Sequence, residues 1–435
     1  MGSPQGSANS GLDPSPLTRE HLERWSRLLP ASPAARLSTG GDTARFSIET
    51  PDGPGALVEI SSGAATVRPL DGDQTDFSLL ADSEDWRRFF LAVPPPLFHS
   101  IFAMRMRVPT FAIRGDERRF AQFVGHVRRA LEVGRVAAND APAQSASSAS
   151  ALDLRGISGS YVDIQAAGHR STVYVEQSGH GPDLFLLHTA GSDSRQLHPL
   201  LADPRLTSRF RITAFDLPGH GRSASVPGQL DGDYSLTLEA YRGTVVAVVD
   251  ALGLDRPVVC GASMAGEICL ELALSAPTLF SGIVACEASD HVPGRRTPWM
   301  DDPTIDTTIF APEWIHGLLG PESPDQFKNL VLWTYSQGGA GTFAGDIDFY
   351  SGGWDARDRI TDIDTGITPL VLMTGEYDYS CTPEMSEATA ARIRGAHFVQ
   401  MPGLGHFPLS ENPDRFIPHL LQAVDTIRQE SRSAA

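Results

Sequence analysis

Apolar positions in this chain follow two different rhythms. In the front third, apolar residues from Leu17 to Leu29 recur at helical spacing. Three short runs follow: Ala44–Ile48, Ala56–Ile60 and Ala65–Pro69. They are separated by P-D-G-P-G and S-S-G, so they predict an antiparallel meander. Phe77–Leu80 reads as a further strand. Ser83–Val93 reads as a helix opened by S-E-D, a capping residue followed by first-turn acids. Thr110–Ile113 predicts a strand and Asp116–Val133 an amphipathic helix. Trp86, Phe89, Phe90, Phe98 and Phe102 make an aromatic stripe. It predicts the core of a small α+β domain; the sharper alternatives are an apolar pocket or a homodimer contact.

Further along, short apolar runs alternate with longer helical patterns. The runs are Val173–Gln177, Leu184–Leu187, Ile212–Phe215, Val258–Gly261, Gly282–Cys286, Leu370–Thr374 and Phe398–Met401. Leu236–Leu252 is one of the helical patterns between them. Continuous apolar strands with helical crossovers predict an α/β fold, with a mostly parallel, doubly wound sheet buried on both faces. Between the halves, Val136–Ala151 is small, polar and free of aromatics, as a linker is. The expected division is an unstructured start at 1–15, a domain at 16–135, a linker at 136–156 and a domain at 157–430.

Composition narrows the function classes. The chain has 435 residues, 41% of them hydrophobic, and a formal net charge of −18. So acidic a chain repels phosphate backbones, which argues against nucleic acid as a partner. Lys328 is the only lysine, which removes lysine-nucleophile chemistry elsewhere and points to a GC-rich, bacterial coding sequence. The start lacks the apolar run of a secretory signal, and no apolar run suits a membrane span. Cys260, Cys269, Cys286 and Cys381 show no C-x-x-C spacing and read as buried free thiols, so the expected location is a reducing cytoplasm.

The sharpest motif is Gly261-Ala262-Ser263-Met264-Ala265, which follows an apolar strand and opens an apolar helix. A nucleophilic serine on such a turn sits in a strained conformation. The residues two before and two after it must be small so that the turn tightens and exposes the hydroxyl. Gly261 and Ala265 meet that need. A base is required, and His406 lies in the glycine-rich loop G-L-G-H-F-P after the last strand. The imidazole needs an acid. Asp378 follows the strand Leu370–Thr374; Glu287, after Gly282–Cys286, is the rival. The oxyanion of a tetrahedral intermediate needs two N–H groups: Met264, next to the serine, and one from the loop His188-Thr189-Ala190-Gly191.

Together these elements resemble the α/β-hydrolase fold family. The resemblance implies that Ala190 is the second oxyanion donor, although the family usually has glycine where Thr189 stands. Asp216-Leu217-Pro218-Gly219-His220-Gly221-Arg222-Ser223 is similar to the family's D-x-P-G-x-G-x-S turn. The segment from Glu287 to Ile360, where the family carries a cap, is rich in aromatics; the expected cap spans about 288–360. Trp299, Trp314, Trp333, Tyr335 and Trp354, with His188 and Thr189, are expected to line a mostly apolar small-molecule pocket. Asp290, Arg295 and Arg296 are candidates for a polar substrate group. The front segment, through Phe111-Ala112-Ile113-Arg114-Gly115-Asp116, resembles the sterol-carrier-protein-like fold.

The resulting expectation is a serine hydrolase acting on an ester, lactone or related carbonyl compound, needing no metal or organic cofactor. The same residues serve C–C bond hydrolysis, acyl transfer or perhydrolysis. A non-catalytic ligand-binding protein is the alternative of a different class.

Overall fold

The computed structural model describes residues 16–32, 41–51, 53–61, 63–139, 152–225, 229, 233–337 and 341–434. The chain divides into two compact units, Met1–Gln144 and Ser145–Ala435. The expected start at 1–15 and most of the expected linker lie outside the described residues. At the linker's edges the helix Val124–Ala138 runs past residue 136, and a 3-10 turn covers Leu154–Gly156.

The first unit is a five-stranded sheet with helices. Its strands are β1 (Ala44–Glu49), β2 (Ala56–Ser61), β3 (Ala64–Pro69), β4 (Phe77–Leu80) and β5 (Ala112–Gly115). Their order is β3-β2-β1-β4-β5. The meander is antiparallel, but β4 joins β1 in parallel, so the sheet is mixed. Strand β5 starts two residues later than the pattern predicts, because its register is set by β4: Phe77 faces Gly115 and Leu80 faces Ala112. The helix expected over Asp116–Val133 is two, Glu117–Gln122 and Val124–Ala138, broken at Phe123. Ile101–Arg107 is a helix that the pattern did not predict, capped by Ser100, whose Oγ accepts the Phe102 N–H at 3.2 Å. All five stripe aromatics are buried. Trp86 packs on Phe90 and Phe89 with ring centroids 5.9 and 5.5 Å apart, and its Nε1–H donates to the Glu49 carbonyl at 2.9 Å. These residues form the unit's own core.

In the second unit the strands are β6 (Ser158–Ala166), β7 (His169–Gly179), β8 (Asp183–Leu187), β9 (Arg211–Phe215), β10 (Val258–Ala262), β11 (Gly282–Cys286), β12 (Leu370–Gly375) and β13 (His397–Met401). They form one sheet, ordered β13-β12-β11-β10-β8-β9-β7-β6, in which β7 is antiparallel to both its neighbours, β6 and β9, and the other pairings are parallel. Strand β6 escapes the hydrophobic pattern because it is a largely exposed edge. In the central strands alternate residues enter opposite cores. Phe185, Val259, Ile283 and Leu372 pack towards the helices Leu238–Leu252 and Met264–Ser275. Leu186, Cys260, Val284 and Met373 pack towards the helix Pro413–Ala434. Two buried faces explain why these strands read as unbroken apolar runs. All four cysteines are buried and free. No helix among the described residues is long and apolar enough to cross a membrane.

Candidate active site

Five adjacent parallel strands, β13-β12-β11-β10-β8, end at one rim of the sheet, and each is followed by a loop that carries a predicted site residue. Register sets their levels: Ala262 pairs with Cys286, Cys286 with Met373, and Gly375 with Met401. Ser263, Glu287, Asp378 and His406 leave the sheet just beyond these pairs. In such sheets ligand sites lie outside the carboxyl ends of the strands.

Ser263 has φ 61° and ψ −126°, a backbone conformation that side-chain-bearing residues rarely adopt. The turn is held because its N–H donates to the Cys286 carbonyl at 3.0 Å, while its own carbonyl accepts the Glu267 N–H at 3.0 Å. The small neighbours are needed. A β-carbon on Gly261 would stand 2.7 Å from that of Ala265, and one on Gly266 would collide with the Cys286 carbonyl oxygen. Gly266 was not singled out in the sequence; the need arises from the neighbouring strand. Gly266→Ala is therefore expected to destabilise the chain by about 2 kcal/mol or more, despite the roughly 1 kcal/mol that alanine usually gains over glycine in a helix. Thermal denaturation checks this; a Tm at or above wild type would show that the turn relaxes freely.

His406 and Asp378 meet. The His406 Nδ1–H donates to Asp378 Oδ2 at 2.7 Å, both side chains being buried. The other carboxylate oxygen accepts the Ser380 N–H at 2.7 Å. Burial opposes the Asp378 charge, but the His406 ring and these hydrogen bonds prevail and hold the carboxyl below its ordinary value. Glu287, the rival acid, lies alongside: its Oε1 accepts the Gly375 N–H at 2.9 Å. Burial and the neighbouring Asp378 carboxylate push Glu287 well above the ordinary carboxyl range, which favours its neutral form. Among the described residues, Glu287, Asp378 and His406 are the one group spaced for a metal ion, their ligand atoms lying within 4.8 Å of one another. The Nδ1–Asp378 bond and the Gly375 N–H on Glu287 already engage ligand atoms of that set, which leaves it poorly suited to a cation.

The His406 loop is clamped by Glu411, which the sequence did not mark. Its Oε1 accepts the N–H groups on both sides of the histidine, Gly405 at 2.7 Å and Phe407 at 3.2 Å. Its Oε2 accepts Gly320 N–H at 2.6 Å and Ser323 Oγ–H at 2.9 Å, both from the expected cap.

The loop after β8 is equally fixed. His188 is buried with both ring nitrogens engaged: Nδ1–H donates to the Thr189 carbonyl at 2.9 Å, and Nε2 accepts the Leu217 N–H at 3.1 Å. The Thr189 carbonyl also accepts the Ser192 N–H. That carbonyl belongs to the peptide whose N–H is Ala190's, so both donors fix its plane and turn the Ala190 N–H the opposite way. No acceptor for the Ala190 N–H is present among the described residues. Met264 begins the helix Met264–Ser275, where N–H groups have no intrahelical acceptor. Thr189 makes use of its hydroxyl, which bonds Tyr335 Oη at 2.8 Å and Gln196 Oε1 at 3.1 Å. His188 is thus an orienting group with no ring nitrogen left for a substrate. In the D-x-P-G turn, Asp216 accepts the N–H groups of Ser194 and Arg222.

The aromatics divide. Trp299, Trp314 and Tyr335 are buried, and Trp314, Phe343, Tyr335 and Phe407 pack in sequence, with centroids 5.9, 5.4 and 5.7 Å apart, up to His406. Trp333 is 47% exposed and lies under the Arg195 guanidinium, on the outer side of its helix, which corrects its assignment to the pocket. Trp354 is fully buried with Nε1–H donating to Glu271 at 3.2 Å, a core anchor instead of a lining residue. Of the cap charges, Asp290 pairs with Arg392, Arg296 pairs with Asp301 and Asp348, and Arg295 is buried beside Trp314 and Tyr379.

Known proteins agree with this architecture. The sequence model of the alpha/beta hydrolase family matches residues 184–419. The chain is 26% identical over 272 residues to the pimeloyl-(acyl-carrier protein) methyl ester esterase of Nitrosospira multiformis, covering 58% of this chain and 97% of that protein. It is 27% identical over 172 residues to the zearalenone hydrolase of Cladophialophora bantiana, covering 37% of this chain and 64% of that protein. Among solved structures, a thermophilic esterase from Thermogutta terrifontis shares the fold with a TM-score of 0.54 at 20% identity, covering 62% of this chain and 99% of the other. An enol-lactonase from Burkholderia xenovorans does so with a TM-score of 0.52 at 20% identity, covering 60% and 99%. With the matched model spanning more than half its length, and a strained serine, a histidine–aspartate pair and an orienting loop at the expected strand ends, the chain belongs to the alpha/beta hydrolase family.

Proposed function

We propose that the protein is a serine hydrolase that cleaves an ester, lactone or related carbonyl bond of a mostly apolar small molecule through an acyl-serine intermediate. The observation that carries this reading is the buried His406–Asp378 bond at the same sheet rim as the strained Ser263 turn. Ser263 Oγ attacks the carbonyl while His406 Nε2 takes its proton. The Ala190 and Met264 N–H groups hold the oxyanion. His406 then returns the proton to the leaving group and activates the water that releases the acid. The aromatic line ending at Phe407 supports an apolar acyl or leaving group, as do relatives named as an ester and a zearalenone hydrolase. The test is a panel of p-nitrophenyl esters, lactones and thioesters with a fluorophosphonate probe, read as a mass shift on Ser263. Absence of both turnover and label overturns the proposal.

For the first unit the sterol-carrier-like reading stands as a proposal, supported by its small α+β arrangement. We expect a chain lacking the first ~150 residues to keep probe labelling at Ser263, because the unit Ser145–Ala435 has its own cores on both sheet faces. Loss of folding on truncation would show that the two units depend on each other.

A further inference from the structure

The cap segment reaches into the loop after β8 through one buried carboxylate. Asp346 ends in the helix Thr342–Asp348 and is fully buried. Its Oδ2 accepts the Gly191 N–H at 2.7 Å and His220 Nε2–H at 2.7 Å. The remaining ring nitrogen of His220 faces the Pro218 carbonyl at 3.2 Å. Both nitrogens face acceptors, so the doubly protonated ring is the form that satisfies this site. Gly191 is close to the cap as well: it has φ 64°, and a β-carbon there would stand 2.6 Å from the Phe343 ring. On the other side of Ala190, the Thr189 N–H donates to Gln196 Oε1 at 3.1 Å. The Ala190 N–H therefore lies between two tethered amides, one of them held by the cap.

We infer that Asp346 is a positioning residue, which with protonated His220 ties the cap to the loop bearing Ala190 and so sets the direction of the oxyanion-binding N–H. This rests on the serine-hydrolase reading above for its catalytic consequence, not for the tie itself. The groups that face the His220 ring are Asp346 from the cap, Asp216 at the start of its own turn, His188 with rings 5.0 Å apart, and the Tyr234 ring at 5.5 Å. Burial by itself lowers the pKa of His220; the Asp346 carboxylate, with the Pro218 carbonyl and Asp216 adding to it, outweighs this and raises it above the ordinary histidine value. His188 is moved the opposite way, by burial and then by His220, which suits its neutral role. The charged pair is complete below the ordinary histidine value and is lost as pH rises through the raised one, so the tie weakens on the alkaline side.

The experiment uses the full chain. Ring NMR of histidine-labelled protein from about pH 5 to about pH 10 should show His220 losing its proton later than an ordinary histidine, and about a unit or more earlier in Asp346→Asn. Turnover of p-nitrophenyl butyrate over the same range should fall on the alkaline side in step with that titration. In Asp346→Asn, kcat should drop about tenfold with KM changed less than about twofold, and the alkaline fall should move to lower pH with the ring. An unchanged kcat and profile, or a rise in KM alone, overturns the inference; so does a wild-type His220 that titrates without any matching change in rate, a measurement that needs no variant to fold. If the wild type turns over no acyl donor, the hydrolase reading fails, while the ring titration still decides whether Asp346 holds His220.

Discussion

Ser263→Ala should remove p-nitrophenyl butyrate turnover, lowering kcat by about 10^4-fold or more, with the fold intact. The hydroxyl is the one group at the turn that can form the acyl bond. The two N–H groups and the pocket remain, so the residue of activity is what binding and oxyanion stabilisation alone provide. Folding should survive because the turn is held by backbone: Ser263 N–H to Cys286, and Glu267 N–H to Ser263. Alanine keeps the same backbone penalty at φ 61°. Ser263→Gly separates the two effects, since it should be as inactive yet more stable by about 1 kcal/mol, glycine being free of that strain. Steady-state rates and thermal melts of the two variants check this. Turnover by Ser263→Ala at the wild-type rate would end the acyl-serine mechanism.

Asp378→Asn should cost nearly as much, about 10^4-fold in kcat, whereas Glu287→Gln should stay within about tenfold of wild type. The asymmetry follows from hydrogen-bond supply. One oxygen of Asp378 must accept the Ser380 N–H and the other the His406 Nδ1–H, both at 2.7 Å and both buried. Asparagine has only one oxygen. If that oxygen serves Ser380, its NH2 faces Nδ1, which forces the ring proton onto Nε2 and removes the base. Its surroundings favour the neutral form of Glu287, and the glutamine oxygen still accepts Gly375 N–H, so the substitution keeps the favoured charge and that contact. Equal losses in the two variants would mean that Glu287 shares the acid role. Acid sensitivity has the matching sign: because folding holds Asp378 below the ordinary carboxyl value, the stability it lends is present above that ordinary value and lost as pH falls through the depressed one. An acid titration of unfolding, compared between wild type and Asp378→Asn, reads this directly.

Much of the site is legible along the chain because its chemistry follows apolar strands. Ser263, Asp378 and His406 each stand a few residues past a run that can only be a buried strand, and parallel strands carry their ends to one rim. The small residues around Ser263 belong to the same local logic. Trp333 and Tyr335, two apart on one helix, are not told apart by composition. A helix turns about 100° per residue, so one faces Phe407 and the other faces solvent beneath Arg195. Strand β6 and the break at Phe123 were hidden for a similar reason: exposure and register depend on neighbours that are distant in sequence.

By itself the sequence determines the alternation of the central strands with helices, the two-sided burial of the central sheet and the residue types at the loop tips, since these follow from local periodicity and from the steric demands of one tight turn. Only the tertiary structure decides which acid meets His406, and that Glu411 and Asp346 bind the cap to the catalytic loops. Those contacts join residues 28, 91 and 155 positions apart, and a buried carboxylate announces its partners only once packing has removed water and left it a few donors.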